Sequence, residues 1–159
     1  MGLKIILRPH ERMIIGGAVV KNCDKGSHFI IENNVPVLRE KDIMSEAETN
    51  SPCRRIYFII QLMYVDDKNV AEYHSIYWKL VGDILSSAPS MLPMIDQISE
   101  HILCNRYYQA LKATQKLIEH EQEVLNHEAC FYYYDDADAG CLSDYYGFHG
   151  NGKGDEHSG

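Results

Sequence analysis

Five basic side chains stand near the N-terminus at spacings that a pleated sheet would gather: Lys4, Arg8, Arg12, Arg39 and Lys41. In an extended chain alternate residues share a face, so Lys4 and Arg8 lie on one side with Ile6, while Leu3, Ile5 and Leu7 turn to the other. By the same parity Val37, Arg39 and Lys41 share a side. If the strands bearing them adjoin, within one chain or across a dimer, a basic strip results. Guanidinium groups suit an RNA ligand, because the planar fork hydrogen-bonds phosphate and stacks on unpaired bases while the edge of a strand reads base edges. An ordinary solvated sheet face would carry the same charges, so the pattern names candidates and not yet a function.

Other residues offer less. Arg54 and Arg55 follow Ser51-Pro52 at a helix start, where cations oppose the helix dipole at a cost of about 0.3 to 1 kcal/mol. A phosphate or a partner protein contacting them would offset that cost, and so would Glu46 or Glu48 in the preceding loop. His120, Glu123 and His127 share one helix face at i, i+3 and i+7, but no fourth ligand is evident and the run reads as a solvated helix end, so no metal is expected. Trp78 and the tyrosines Tyr57, Tyr64, Tyr73, Tyr77, Tyr107 and Tyr108 could stack on bases, yet at helical spacing they read as core. The five cysteines are widely spread without a C-x-x-C pair and read as reduced thiols, mostly packing residues. The sequence carries no G-x-G-x-x-G, no G-x-x-x-x-G-K-[ST], no H-E-x-x-H and no G-x-S-x-G, so neither an enzyme nor a cofactor is expected.

The elements that must position these residues change type once. Leu3 to Leu7, Arg12 to Ile15, Ala18 to Lys21, His28 to Glu32 and Pro36 to Arg39 read as short strands separated by turn residues. Gly16-Gly17 predicts a tight hairpin between the second and third. From Ser51, a serine N-cap with proline at the first helical position, the period becomes helical, with Ile56, Ile59, Ile60 and Met63 as the first apolar stripe. A second helix is predicted over about Asp67 to Ser87, with Tyr73, Tyr77, Val81 and Ile84 inward. A third turns Ile95, Ile98 and Ile102 inward, and a fourth, capped by Asn105, uses Tyr107, Leu111, Ile118 and Val124. The expected fold is α+β: an N-terminal antiparallel β module over residues 1–50, then about four antiparallel helices over 51–127. Residues 128–159 read as an acidic, tyrosine- and glycine-rich disordered tail.

The chain has 159 residues and a net charge of −8, which opposes indiscriminate attraction to nucleic acid. The charge is uneven: residues 127–159 carry 1 basic and 7 acidic side chains, so −6 of the −8 sits there. No apolar run is long enough to cross a bilayer and no signal peptide is visible, which predicts a cytoplasmic protein without membrane attachment.

Leu3 to Val19, Ile31 to Ile43 and Pro52 to Tyr64 together resemble the FlbT family, with Pro36-Val-Leu-Arg-Glu-Lys-Asp-Ile43 as the most specific motif. The likeness runs over about residues 3 to 126. It implies a post-transcriptional regulator that binds the 5′ leader of flagellin messenger RNA, represses its use and promotes its decay, with FlaF as a functional partner. Some relatives activate instead. A fainter likeness joins Arg8-x-x-Glu11, Ile15-Gly16 and Val37-x-Arg39-Glu40 to the small β dimer CsrA, which implies that Arg8 and Arg39 lie in an RNA site and that a homodimer is a model for assembly. A second function class also fits the residues: an adaptor or chaperone-like regulator that binds FlaF or flagellin through its helices, without RNA contact.

Overall fold

Gly16 and Gly17 adopt φ angles of 54° and 84°, the left-handed pair that a type I′ hairpin turn requires. In the computed structural model, which describes residues 2–141 with side chains through His127, they join β2 (Arg12–Ile15) to an antiparallel β3 (Ala18–Lys21). On its other edge β2 pairs with β5 (Val37–Arg39), Met13 opposite Arg39. β1 (Leu3–Leu7) and β4 (Ser27–Ile31) form a separate antiparallel pair, Leu3 opposite Ile31. One edge of β1 and one edge of β5 therefore have no strand partner among the described residues.

Strand parity holds through β5 and then stops. After Arg39 the chain enters a 3-10 turn, Glu40–Asp42, so Lys41 does not continue the face of Val37 and Arg39 as the extended reading predicts. In β2 successive side chains serve different cores. Met13 is buried with Ile5 and Leu7, whereas Ile14 joins Leu38 in the larger cluster built by the helices.

The helices are α1 (Pro52–Val65), α2 (Val70–Ser87), α3 (Leu92–Leu103) and α4 (Tyr107–Cys141). The predicted apolar stripes of α1 to α3 face inward: Ile56, Ile60, Tyr77, Ile95, Ile98 and Ile102 are almost fully buried, each removal from water worth about 1.5–3 kcal/mol. Two details of α4 differ from expectation. Asn105, at φ 56°, ends α3 instead of capping α4: its N–H donates to the Ile102 carbonyl at 2.9 Å and that of Arg106 to the His101 carbonyl at 2.8 Å, the pair of bonds of a Schellman stop. Val124 is exposed instead of packed. The helix also continues past His127 to Cys141; no proline follows Pro93, and Ala129, Ala137 and Ala139 favour helix. Residues 142–159 of the predicted tail lie outside the described residues.

Strands and helices share one core, and residues 1–121 form one compact unit; the second begins at Gln122 within α4. The change of element near residue 50 therefore lies inside a single folding unit. α1 holds the segment after β4 along one face, with residues at i, i+4 and i+7. The Tyr57 hydroxyl donates to the Asp42 carbonyl at 2.6 Å. Gln61 bonds both backbone groups of Met44, at 2.7 and 2.9 Å, and the Tyr64 hydroxyl accepts from the Val37 N–H at 3.3 Å. From α4, Lys112 places its ammonium 2.7 Å from the buried Asp42 carboxylate.

Candidate nucleic-acid interface

Arg8 follows β1 on a turn fixed from both sides. The buried side-chain amide of Asn22 donates to the carbonyls of Leu7, Arg8 and Lys25 at 3.1, 2.9 and 2.9 Å, and its oxygen accepts from the Cys23 N–H and the Ser27 hydroxyl. Three residues on, the Glu11 carboxylate accepts from the Arg8 N–H at 2.7 Å. Its other oxygen meets Nη2 of Arg39 at 3.4 Å, and the same nitrogen donates to the Ile6 carbonyl at 3.3 Å. The Arg8 amide first, and then the charges of Arg39 and Arg8, hold the Glu11 carboxyl below its ordinary range against the opposing effect of burial. Glu11 thus ties Arg39 of β5 to the turn that carries Arg8. Among the described residues Arg39 hydrogen-bonds only through Nη2, which leaves Nε and Nη1 for a phosphate oxygen.

Between β1 and β5 lies a groove of about 630 Å³, lined by Lys4 and Ile6 on one strand, Val37 and Arg39 on the other, Asn34 before β5, and Tyr64 and Tyr108 from α1 and α4. The structure therefore brings Lys4 and Arg39 to one groove; Arg8 does not line it and is joined to Arg39 only through its backbone N–H on Glu11. It does not bring all five candidates together. Arg12 pairs with Glu40 at 3.5 Å, beside a smaller hollow lined by Ile14, Val19 and Ile43. Lys41 borders a third hollow with Tyr57 and Gln115.

Arg54 and Arg55 form no ion pair among the described residues, but the two Ser45 hydrogen bonds first, and then the Arg54 charge, hold the Glu48 carboxyl below its ordinary range against the opposing effect of burial. The negative charge at the start of α1 comes from Glu121 of α4. Its carboxylate accepts from the Ser51 hydroxyl at 2.5 Å and from the Cys53 N–H at 3.4 Å. Burial first, and then the Glu121 charge, push the Cys53 thiol up to about 12, which leaves it unreactive at neutral pH. Cys23 and Cys104 are exposed, contrary to the packing role expected of them.

The tyrosines divide. Tyr57 and Tyr77 are core, as expected, whereas Tyr108 is 40% and Trp78 45% exposed. Sequence reasoning overlooked Asn22, which has the composition of any turn residue, and read Tyr64 and Tyr108 as core because their helical spacing resembles that of core neighbours, whereas both line the groove. Among the described residues no cluster of His, Cys, Asp and Glu is placed to hold a metal, and no helix there is long and apolar enough to cross a membrane.

A family model described as "Flagellar protein FlbT" matches residues 3–125. The probable flagellum biosynthesis repressor protein FlbT 1 of Bradyrhizobium diazoefficiens is 40% identical over 125 residues, covering 78% of this chain and 85% of its own. The probable repressor FlbT of Rhodopseudomonas palustris is 36% identical over 126 residues, 79% of this chain and 99% of its own. The flagellum biosynthesis repressor protein FlbT of Caulobacter vibrioides is 36% identical over 129 residues, 80% of this chain and 92% of its own. No solved structure matches the chain. The matched stretch takes in all five strands, α1 to α3 and much of α4, and the chain belongs to the FlbT family.

Proposed function

We propose that this chain is a non-catalytic regulator of flagellum biosynthesis that acts in the cytoplasm as a repressor, by binding the 5′ leader of flagellin messenger RNA and promoting its decay. The relatives' names support the flagellar role. What carries the RNA reading is the Arg39 guanidinium, tied by Glu11 to the backbone of Arg8, in a groove that also holds Lys4. The Arg39 guanidinium, already held in position, loses little freedom when it meets phosphate, so the site binds a polyanion although the whole chain is acidic. Arg12 and Lys41 lie outside the groove and add phosphate attraction at a distance, which salt screens within about 8 Å at physiological ionic strength. Decay is then the work of cellular nucleases that reach the message once the leader is held by the protein.

A second reading rests on a different observation. Ile76, Trp78, Leu92 and Leu103 are exposed on α2 and α3, as a surface for FlaF or flagellin would require, and Arg54 and Arg55 have no ion-pair partner among the described residues. In that case the chain is an adaptor that affects messages indirectly.

A salt titration of binding to a flagellin 5′ leader and to a scrambled leader separates the two. Under the RNA reading the leader is preferred, and the Arg8→Ala, Arg39→Ala double variant loses that preference. Two phosphate contacts removed from a single strand lower the slope of log affinity against log salt by about 1.4. Equal or absent binding to both RNAs by the unaltered protein refutes it and leaves the adaptor reading.

A further inference from the structure

The helical half contributes aromatic rings to the groove. Tyr64 is fixed by its hydroxyl, which accepts from the Val37 N–H at 3.3 Å. The Tyr108 ring lies 6.0 Å from it, centroid to centroid, tilted by 46°. Lys112 sits over Tyr108, its ammonium 5.3 Å from the ring centroid, and is itself held by Asp42. Tyr108 borders the groove together with Lys4, Asn34 and Arg39, whereas Lys112 does not. The neighbouring Tyr107 packs edge-on against His74, so the pair at the start of α4 is divided between a packed ring and an exposed one.

The geometry points to Tyr108, supported by Tyr64, as a stacking platform for one unpaired base of the bound RNA, with Lys4 and Arg39 on the adjoining phosphates. This deepens the RNA reading and rests on it. The two tyrosine rings already touch, so a base has no room between them and stacks on the groove-facing side of Tyr108. Base–aromatic stacking tolerates any base because every base has a π face. The side-chain amide of Asn34 supplies both a donor and an acceptor for a base edge. RNA is favoured over an added β-strand because side chains already bond the edges of β1 and β5 at the groove. The Tyr64 hydroxyl takes the Val37 N–H and Arg39 takes the Ile6 carbonyl, so a strand would have to displace both.

The test uses the full chain, the flagellin 5′ leader as probe, and Tyr108→Leu and Tyr108→Phe, with thermal unfolding and light scattering on each. Leucine keeps apolar bulk without a π face, and phenylalanine restores the ring. The expected result is about tenfold weaker leader binding for Tyr108→Leu, recovery in Tyr108→Phe, and an unchanged salt slope, since no charge is removed. If Tyr108→Leu binds like the unaltered protein while the double arginine variant fails, the stacking inference is overturned and the RNA reading stands. A salt slope that falls with the affinity means a collapsed groove and overturns it as well. So does a dimer that Tyr108→Leu dissociates, which would put a second copy in the groove. If the unaltered protein ignores the leader, both readings fall together.

Discussion

Asn22 shows how one side chain sets up a site that it does not itself line. Its five hydrogen bonds join the end of β1, the turn after β3 and the start of β4, and it is 8% exposed. Replacing it with alanine removes the donor from three carbonyls, that of Leu7 buried and those of Arg8 and Lys25 part-buried. Asn22→Ala is expected to lower stability by about 2–4 kcal/mol, read as a drop in the urea midpoint without a change in slope. It should also weaken leader binding at temperatures where the variant is still folded, because the Arg8 carbonyl is among those released. Normal stability would show that water replaces the amide. Glu11 acts on the same turn by charge, its carboxylate holding the Arg8 amide and Arg39 at once.

At the scale of elements, α1 organises the site, though only Tyr64 of its residues lines the groove. Tyr57, Gln61 and Tyr64 fix the backbone from Val37 to Met44, and Glu121 fixes the start of α1 in turn. Ser51 and Glu121 form one cap: the serine oxygen accepts from the Arg54 N–H and donates to the carboxylate. Ser51→Ala and Glu121→Ala are each expected to cost about 1 kcal/mol. Because they share a bond, the double variant should cost less than the two added together. Strict additivity in a denaturation cycle would mean that the two caps work independently. α3 and α4 meet at Asn105, whose left-handed backbone turns the chain and sets Tyr107 inward and Tyr108 outward.

For the whole molecule the decisive quantity is the distribution of charge. Residues 128–159 hold 1 basic and 7 acidic side chains, so their removal changes the net charge from −8 to −2 and lifts a long-range repulsion of phosphate. A chain ending at His127 is expected to bind unrelated RNA more tightly at low salt, with the difference vanishing as salt rises. Filter binding to a scrambled leader checks this, and unchanged affinity would remove the acidic end from any role in selectivity.

The order of elements was legible in the residues because it depends on local physics. Alternation, the glycine pair at 16 and 17, and the Ser51-Pro52 start each act within a few positions along the chain. The parity that put Arg39 on a face with Val37 failed at Lys41, where Glu40–Asp42 coils into a 3-10 turn held by Tyr57 and Lys112 from distant helices. Sequence by itself determined which residues could bind phosphate, and its family motifs named a regulator. Only the tertiary structure decided that Lys4 and Arg39 meet at one groove while Arg8, Arg12 and Lys41 do not line it, that Glu121 and not a loop glutamate caps α1, and that Tyr108 escapes the core. Each of these outcomes depends on which side chains approach across dozens of residues, and local pattern carries no information about that approach.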